Sequence, residues 1–212
     1  MLCCKYDPRV ALRKESPQEA EEGFVKPAVI IVDMVKDNLK EGSRHPIAQE
    51  ARAIIPKLQR IIGESRQAGF PIVFACDSFF PEDFIFKGKM KAHSLRGTKG
   101  SEPIDELHPK PSDIFLPKRR FSAFFKTDLD MTLRMRGVDT IAVAGITTEV
   151  CVLMTAMDGL CYDFSVILLE DVTASKTPEM HRSCLDLYRD FALHPLLRVM
   201  NVEQFLKEAH PI

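Results

Sequence analysis

Residues 139–156 constrain the fold more than any other part of the chain. The segment opens with a short apolar run, Ile141 to Ala144, typical of a strand that is buried on both faces of a parallel sheet. Gly145 interrupts the run, and residues 147–149, Thr-Thr-Glu, suit the cap and first turn of a helix. The segment therefore predicts a strand, a tight turn and a helix, with Cys151 in the first helical turn.

The predicted position of Cys151 has chemical consequences. Unpaired N–H groups at a helix N-terminus favour negative charge, which would lower the pKa of a thiol there. The same N–H groups can hold the oxyanion of a tetrahedral intermediate. The alternative is that Cys151 is a small buried apolar residue, as most free cysteines are. The segment alone favours this alternative, so the rest of the chain has to decide between them.

The remaining sequence repeats the alternation of buried strands and amphipathic helices. Strands are predicted over 28–33, 71–76, 113–118, 164–170 and 197–200, and helices over 47–68, 127–136, 177–191 and 202–209. Thr127 and Asp130 stand in the relation of a capping box. Such alternation builds right-handed βαβ units. It predicts an α/β fold, a three-layer αβα sandwich with a mostly parallel six-stranded sheet.

Composition sets the class of protein and its partners. The 212 residues are 45% hydrophobic and 28% charged, which fits one domain over 27–212, preceded by a polar N-terminal arm over 1–26. A net charge of −1 gives no indication of nucleic acid or an anionic membrane as partner. No apolar run reaches the ~20 residues of a membrane span. No signal peptide is recognisable, so we expect a cytoplasmic protein with reduced thiols.

Residues 78–112 show no clear period, which predicts a lid or binding loop. The longer range 78–126 contains eight of the 14 phenylalanines: Phe79, Phe80, Phe84, Phe86, Phe115, Phe121, Phe124 and Phe125. We assign Phe115 to a core strand and the others to irregular segments. Exposed aromatic area often marks an interface, so we expect a homo-oligomer with these loops near the subunit contact.

Three reactive side chains follow or end predicted strands, namely Asp33, Lys118 and Cys151. In an open parallel sheet, ligands bind beyond the carboxyl ends of the strands. Asp33 could be an ordinary loop carboxylate, and Lys118 could be a surface lysine. Together, the three residues supply an acid/base, a cation and a nucleophile, which is the set that acyl transfer through a thioester needs.

Four segments carry a resemblance to a known family: Ile31–Asp37, Lys118–Leu129, Gly145–Cys151 and Leu169–Ser175. They resemble the motifs of the isochorismatase-like cysteine hydrolases, which include nicotinamidases and N-carbamoylsarcosine amidohydrolases. The resemblance extends from about Ala28 to about Ala209. It implies the isochorismatase-like hydrolase fold, a catalytic triad of Asp33, Lys118 and Cys151, and an oligomeric protein.

The resemblance also implies details of the site. It implies a cis peptide bond between Ile146 and Thr147, with the N–H groups of Thr147 and Cys151 forming the oxyanion hole. Nicotinamidases carry a metal on an Asp-x-His pair and a later His, which correspond here to Asp77, Phe79 and His93. With one ligand replaced, we expect no metal and no cofactor. We assign Phe79, His93 and Phe121 to substrate binding.

These residues predict a cysteine hydrolase that cleaves a C–N bond of a small amide or carbamoyl compound. One alternative is vinyl-ether hydrolysis, as in isochorismatase, although some such members lack the cysteine. The other is a non-catalytic family member that acts as a binding or assembly module, against which the complete set of Asp33, Lys118 and Cys151 argues.

Overall fold

Six parallel strands form the centre of the protein, in the order β3-β2-β1-β4-β5-β6. The computed structural model describes residues 26–40, 42–43, 46–190 and 192–209, so the predicted arm over 1–26 lies outside the described residues except for Lys26. The strands are β1 Pro27–Val32, β2 Ile72–Asp77, β3 Ile114–Lys118, β4 Thr140–Ile146, β5 Ser165–Ala174 and β6 Leu197–Met200. The prediction of six mostly parallel strands is confirmed.

Helices cover both faces of the sheet. They are α1 Pro46–Ala53, α2 Ile55–Gln67, α3 Leu129–Arg134, α4 Leu153–Cys161, α5 Pro178–Arg189 and α6 Val202–Ala209. Helices α1, α2 and α6 pack on one face, where Ile31 and Phe74 belong to the core. Helices α3, α4 and α5 pack on the other face around Ile30 and Val143. Neighbouring strand residues alternate between the two cores, which is why the strands are apolar at consecutive positions.

Two helix predictions need correction. The predicted helix over 47–68 is two helices, α1 and α2, separated at Ile54. Pro56 is the physical reason, because it has no N–H to donate to the carbonyl four residues earlier. The predicted capping box at Thr127 is also absent. The Thr127 hydroxyl donates to the Ala123 carbonyl at 2.6 Å, and Asp128 stands at the N-cap without a side-chain capping bond.

Strand β5 continues four residues beyond its predicted end at Glu170. The prediction stopped there because Glu170 and Asp171 are charged. Successive side chains of a strand point to opposite faces of the sheet, so the two carboxylates lie on different faces. On one face Glu170 pairs with Arg189 of α5 at 2.6 Å, and on the other Asp171 pairs with Lys57 of α2 at 2.9 Å. Ion pairs with helices on both faces therefore let a charged dipeptide lie within a central strand.

Residues 78–112 contain no strand and no α-helix, only short 3₁₀ turns and isolated bridges. Phe79 and Phe124 are buried, whereas Phe84 and Phe125 are exposed. The assignment of Phe115 to a core strand needs correction, because β3 is an edge strand and 48% of the Phe115 surface is exposed. No helix in the described ranges is long and apolar enough to cross a membrane.

Candidate active site

The three predicted catalytic side chains lie at the carboxyl edge of the sheet. Asp33 follows β1 directly and has a φ of 53°, a conformation that non-glycine residues adopt rarely and mostly at functional sites. Lys118 is the last residue of β3 and is paired in register with Asp77 at the end of β2. Cys151 lies in a π-helical turn, Thr148–Val152, between β4 and α4. The sheet thus brings residues from distant parts of the chain to one edge.

Lys118 joins two carboxylates in this cluster. Its Nζ is 2.7 Å from Asp33 Oδ2 and 2.5 Å from Asp77 Oδ1, and the lysine side chain is fully buried. The Asp77 backbone N–H donates to Asp33 Oδ1 at 2.8 Å. The Cys151 Sγ lies within 4.8 Å of carboxylate oxygens of both aspartates. Sequence reasoning did not assign Asp77 to this cluster.

The cluster contains two carboxyl groups, those of Asp33 and Asp77, but only one amino group, that of Lys118. This excess of carboxyl groups affects which of them holds a proton. Burial, and then the nearby Asp77 carboxylate, raise the pKa of Asp33 to about 7, although Lys118 acts in the opposite direction. Burial lowers the pKa of Lys118, but the Asp33 and Asp77 carboxylates outweigh burial and raise it above its ordinary value. Lys118 therefore stays an ammonium, and Asp33 can exchange a proton near neutral pH.

The expectation of a lowered thiol pKa at Cys151 is wrong for the protein without bound substrate. Burial is the largest cause, and together with the Asp33 and Asp77 carboxylates it raises the Cys151 pKa well above the ordinary value, although Lys118 opposes it. The prediction considered the helix N-terminus and the Lys118 cation but not the surroundings of Cys151, which is 8% exposed and lies near two carboxylates. In the resting protein, Cys151 is therefore a neutral thiol beside the Asp33 carboxyl group.

The turn that carries Cys151 is tightly packed against β1. Gly145 has a φ of 105°, and a Cβ atom there would lie 2.1 Å from the Val32 carbonyl oxygen, so only glycine fits. The peptide bond between Ile146 and Thr147 is cis. Thr147 and Cys151 both line the cavity above the cluster.

Two side-chain hydrogen bonds connect this turn to other parts of the fold. The Thr148 hydroxyl lies 2.9 Å from Nδ1 of His181 in α5, and the Ser175 hydroxyl donates to Glu149 Oε2 at 2.5 Å. Burial lowers the pKa of His181, which favours the neutral ring. Sequence reasoning gave His181 no role, because nothing in its local sequence connects it to a turn 33 residues away.

The cavity above the cluster has a volume of about 190 Å³. It is lined by Asp33, Asn38, Ile47, Asp77, Ile85, Met90, His93, Phe121, Ile146, Thr147, Val150 and Cys151. Among the residues assigned to substrate binding, Phe79 is the one that does not line it. Its ring is 1% exposed and packs edge-on against Phe86 and His93, so it supports the cavity wall from behind. Asn38, which sequence reasoning did not single out, lines the cavity and donates to the Asp33 carbonyl at 3.0 Å.

The described residues do not fit a metal in the position that the family resemblance suggests. The Asp77 carboxylate already binds the Lys118 ammonium at 2.5 Å, which occupies the place of a cation. The His93 Nδ1 lies 2.9 Å from the Lys91 carbonyl oxygen. The His93 ring packs against Phe79, an apolar residue at the position where nicotinamidases have a histidine. Asp33, Asp77 and Cys151 come together closely, but the ammonium lies on both carboxylates.

A buried carboxylate, ammonium and thiol lie together at the open edge of a parallel sheet, and these are the groups that hydrolysis through a cysteine nucleophile needs. The Isochorismatase domain family matches residues 27–204. The chain belongs to the isochorismatase family of hydrolases.

Solved structures agree with this membership. An isochorismatase-like hydrolase from Alkaliphilus metalliredigens is 34% identical, with 89% of this chain and 98% of that chain covered and a TM-score of 0.75. N-carbamoylsarcosine amidase from Thermoplasma acidophilum is 32% identical over 84% of this chain and 96% of that chain, with a TM-score of 0.72. Pyrazinamidase of Pyrococcus horikoshii, solved with zinc, is 27% identical over 83% and 99%, with a TM-score of 0.72. Two of these three neighbours are amidases by name.

Proposed function

We propose that the protein is an amidohydrolase that cleaves the C–N bond of a small amide through a thioester on Cys151. One observation carries the proposal: the Cys151 Sγ lies within 4.8 Å of a carboxylate oxygen of Asp33, which Lys118 holds at 2.7 Å beneath a small cavity. The amidases among the structural neighbours support the same reaction type.

The reaction begins with proton transfer from the Cys151 thiol to Asp33. A raised thiol pKa and a base with a pKa of about 7 make this transfer concerted with attack of Sγ on the substrate carbonyl carbon. The carbonyl oxygen gains negative charge, which the backbone N–H groups of Thr147 and Cys151 stabilise as the oxyanion hole. Lys118 remains protonated and keeps Asp33 in position.

Asp33 then returns the proton to the substrate nitrogen. The C–N bond breaks, ammonia leaves, and the acyl group remains on Sγ as a thioester. A water molecule gives a proton to Asp33 and attacks the thioester carbonyl. The second tetrahedral intermediate expels the Cys151 sulfur, which recovers its proton from Asp33, and the carboxylic acid product is released.

Ammonia release and covalent trapping test this proposal. The purified protein is incubated with a panel of primary amides, and the mass of the acid-quenched protein is measured. We expect ammonia release, an acyl adduct on the peptide that contains Cys151, and loss of at least about 10⁴-fold in kcat for Cys151→Ala. Cys161→Ala, which removes an exposed thiol of α4, is the matched control and keeps full activity.

Two outcomes contradict the proposal. Turnover by Cys151→Ala at the wild-type rate excludes the thioester route. Release of an enol or alcohol without ammonia from a vinyl ether, with no amide hydrolysed, points to the alternative reaction. Because the described residues do not fit a metal, we also propose that activity survives EDTA, which the same assay measures.

We propose further that the active protein is a homo-oligomer. A surface groove of about 630 Å³ adjoins the cavity through Phe121, which lines both. Its walls include the exposed Phe125 and Met154, and its rim carries both Arg120 and Glu149, so that two copies can pair opposite charges. Met154→Glu is expected to weaken assembly in light scattering, whereas Met135→Glu, outside the groove lining, leaves it unchanged. A wild-type monomer at micromolar concentration contradicts this proposal.

A further inference from the structure

The walls and the floor of the active cavity differ in character. The walls are apolar side chains from separate segments: Ile47, Ile85, Met90, Phe121, Ile146 and Val150. Most of the surface that they present to the cavity is carbon. A substrate that fills this space must leave water for contact with these side chains, which favours an apolar acyl group.

The charged groups of the floor are acidic in excess. Asp33 and Asp77 both line the cavity, and the ammonium of Lys118 lies behind them with its side chain fully buried. Its Nζ already binds one oxygen of each carboxylate, at 2.7 and 2.5 Å. Within the described part of the chain, two carboxylates and one ammonium at this floor leave no net positive charge to attract an anion. Burial and the Asp77 carboxylate also raise the pKa of Asp33 to about 7, which follows from the same lack of compensation for negative charge.

We propose that this cavity selects small uncharged amides with an apolar acyl group, and that it rejects amides whose acyl group carries a carboxylate. The selection rests on the proposed amide hydrolysis and specifies its substrate class. An anionic acyl group would lose its hydration against the apolar walls and would face two carboxylates at the floor. Burying a charge without a partner is among the largest penalties in protein recognition.

Two amides of nearly equal shape provide the test. Isovaleramide has an isopropyl group where malonamate has a carboxylate, and the remaining atoms are the same. We expect kcat/KM for isovaleramide to exceed that for malonamate by at least about 100-fold, as expected when a charge is buried without a partner. Equal values for the two substrates, or a preference for malonamate, overturn the proposal.

A cation placed at the cavity wall should reverse part of this preference. Met90 lines the cavity and is 45% exposed, so an arginine can be accommodated there without disturbing the core. In Met90→Arg we expect the ratio of malonamate to isovaleramide turnover to rise at least about 10-fold, since a charge pair is gained. Met90→Gln is the matched control for loss of the methionine, and its ratio should stay near that of the wild type.

A binding measurement separates this proposal from the proposed reaction. Saturation-transfer NMR on Cys151→Ala detects weak ligands without turnover. Isovaleramide should give a transfer signal, and malonamate at the same concentration should give none. If isovaleramide binds selectively but no amide releases ammonia, the reaction is wrong and the selectivity holds. Equal signals from both compounds, or none from isovaleramide, overturn the selectivity whatever the reaction.

Discussion

Two adjacent residues, Lys118 and Arg119, each bind a different group of carboxylates, and the pKa values of these carboxylates shift in opposite directions. Lys118 points into the cavity floor and binds Asp33 and Asp77, whereas the next residue, Arg119, binds Asp83 on the outer side. In the first cluster, burial and the second carboxylate raise the pKa of Asp33 to about 7. In the second, the hydrogen bond from Arg119, opposed by burial, lowers the pKa of Asp83 to about 2.

The ratio of acids to bases explains this difference. The floor has two carboxylates for one ammonium, so one carboxylate holds its proton near neutral pH and can act as an acid/base. Asp83 has two guanidinium groups, from Arg119 and Arg120, and therefore stays ionised. Asp83 also accepts the Phe80 backbone N–H at 2.8 Å and so ties down the loop that leads to Ile85. One cluster suits proton transfer, and the other fixes a wall of the cavity.

Replacing the two neighbouring cations gives the largest expected contrast. Lys118→Met leaves two carboxylates without a counterion in a buried site and should cost about 3–5 kcal/mol in the free energy of unfolding at pH 7. Arg119→Met leaves Arg120 beside Asp83 and should cost at most about 1 kcal/mol, because Arg119 is 45% exposed. Urea denaturation of both variants measures the contrast.

The pH dependence of Lys118→Met is a second test of the same point. Without the ammonium, the folded-state pKa of Asp33 rises further above the unfolded value of 3.8, so the folded protein binds more protons than the unfolded chain. Stability of the variant should therefore increase as the pH falls from 7 towards 5. Equal stability losses for Lys118→Met and Arg119→Met would show that the two clusters do not differ as described.

Changing the acid-to-base ratio at the floor should move the pH profile of the enzyme. Asp77→Asn removes the second carboxylate that raises the pKa of Asp33 while preserving the shape of the side chain. In the proposed mechanism Asp33 acts as a base when ionised, so the acidic limb of kcat/KM should lie near pH 7 in the wild type. In the variant it should shift to lower pH by about one unit.

The pH profile is measured as kcat/KM on any amide found in the ammonia assay. Glu82→Gln, which removes an exposed carboxylate away from the cavity lining, is the control and should leave the limb in place. An unchanged limb in Asp77→Asn indicates that burial alone sets the pKa of Asp33.

Asp83→Asn should have the smallest effect. The loop from Phe80 to Ile85 loses its ionic tie, so KM should rise about 3- to 10-fold while kcat changes little, as expected for a loss of uniform binding. Asp83 has a folded pKa below the unfolded value, so it contributes stability that is present above pH 3.8 and is lost as the pH falls towards 2. Urea denaturation between pH 6 and pH 3 should show a smaller acid loss in the variant. A large loss in kcat with an unchanged KM contradicts a purely positional role.

Much of the fold could be predicted because its signals are local. The boundaries of β6 and α6 were predicted from the short apolar run at Leu197–Met200 and the spacing after Val202. Thr177 accepts the Met180 N–H as the N-cap of α5, and Pro178 follows it at the first helical position. Ion pairs between distant residues do not appear in such patterns, which is why β5 was predicted to end at the charged Glu170.

For the active site, the sequence alone identified the reactive side chains and the edge of the sheet where they lie. Asp33, Lys118 and Cys151 follow or end recognisable strands, and parallel strands bring such positions to one edge. Only the tertiary structure decided that Asp77 shares the ammonium, that the Cys151 pKa rises, and that Phe79 lies behind the cavity wall. The physical reason is that protonation depends on desolvation and on the sum of nearby charges, and here these come from residues as far apart in the chain as Asp33 and Cys151.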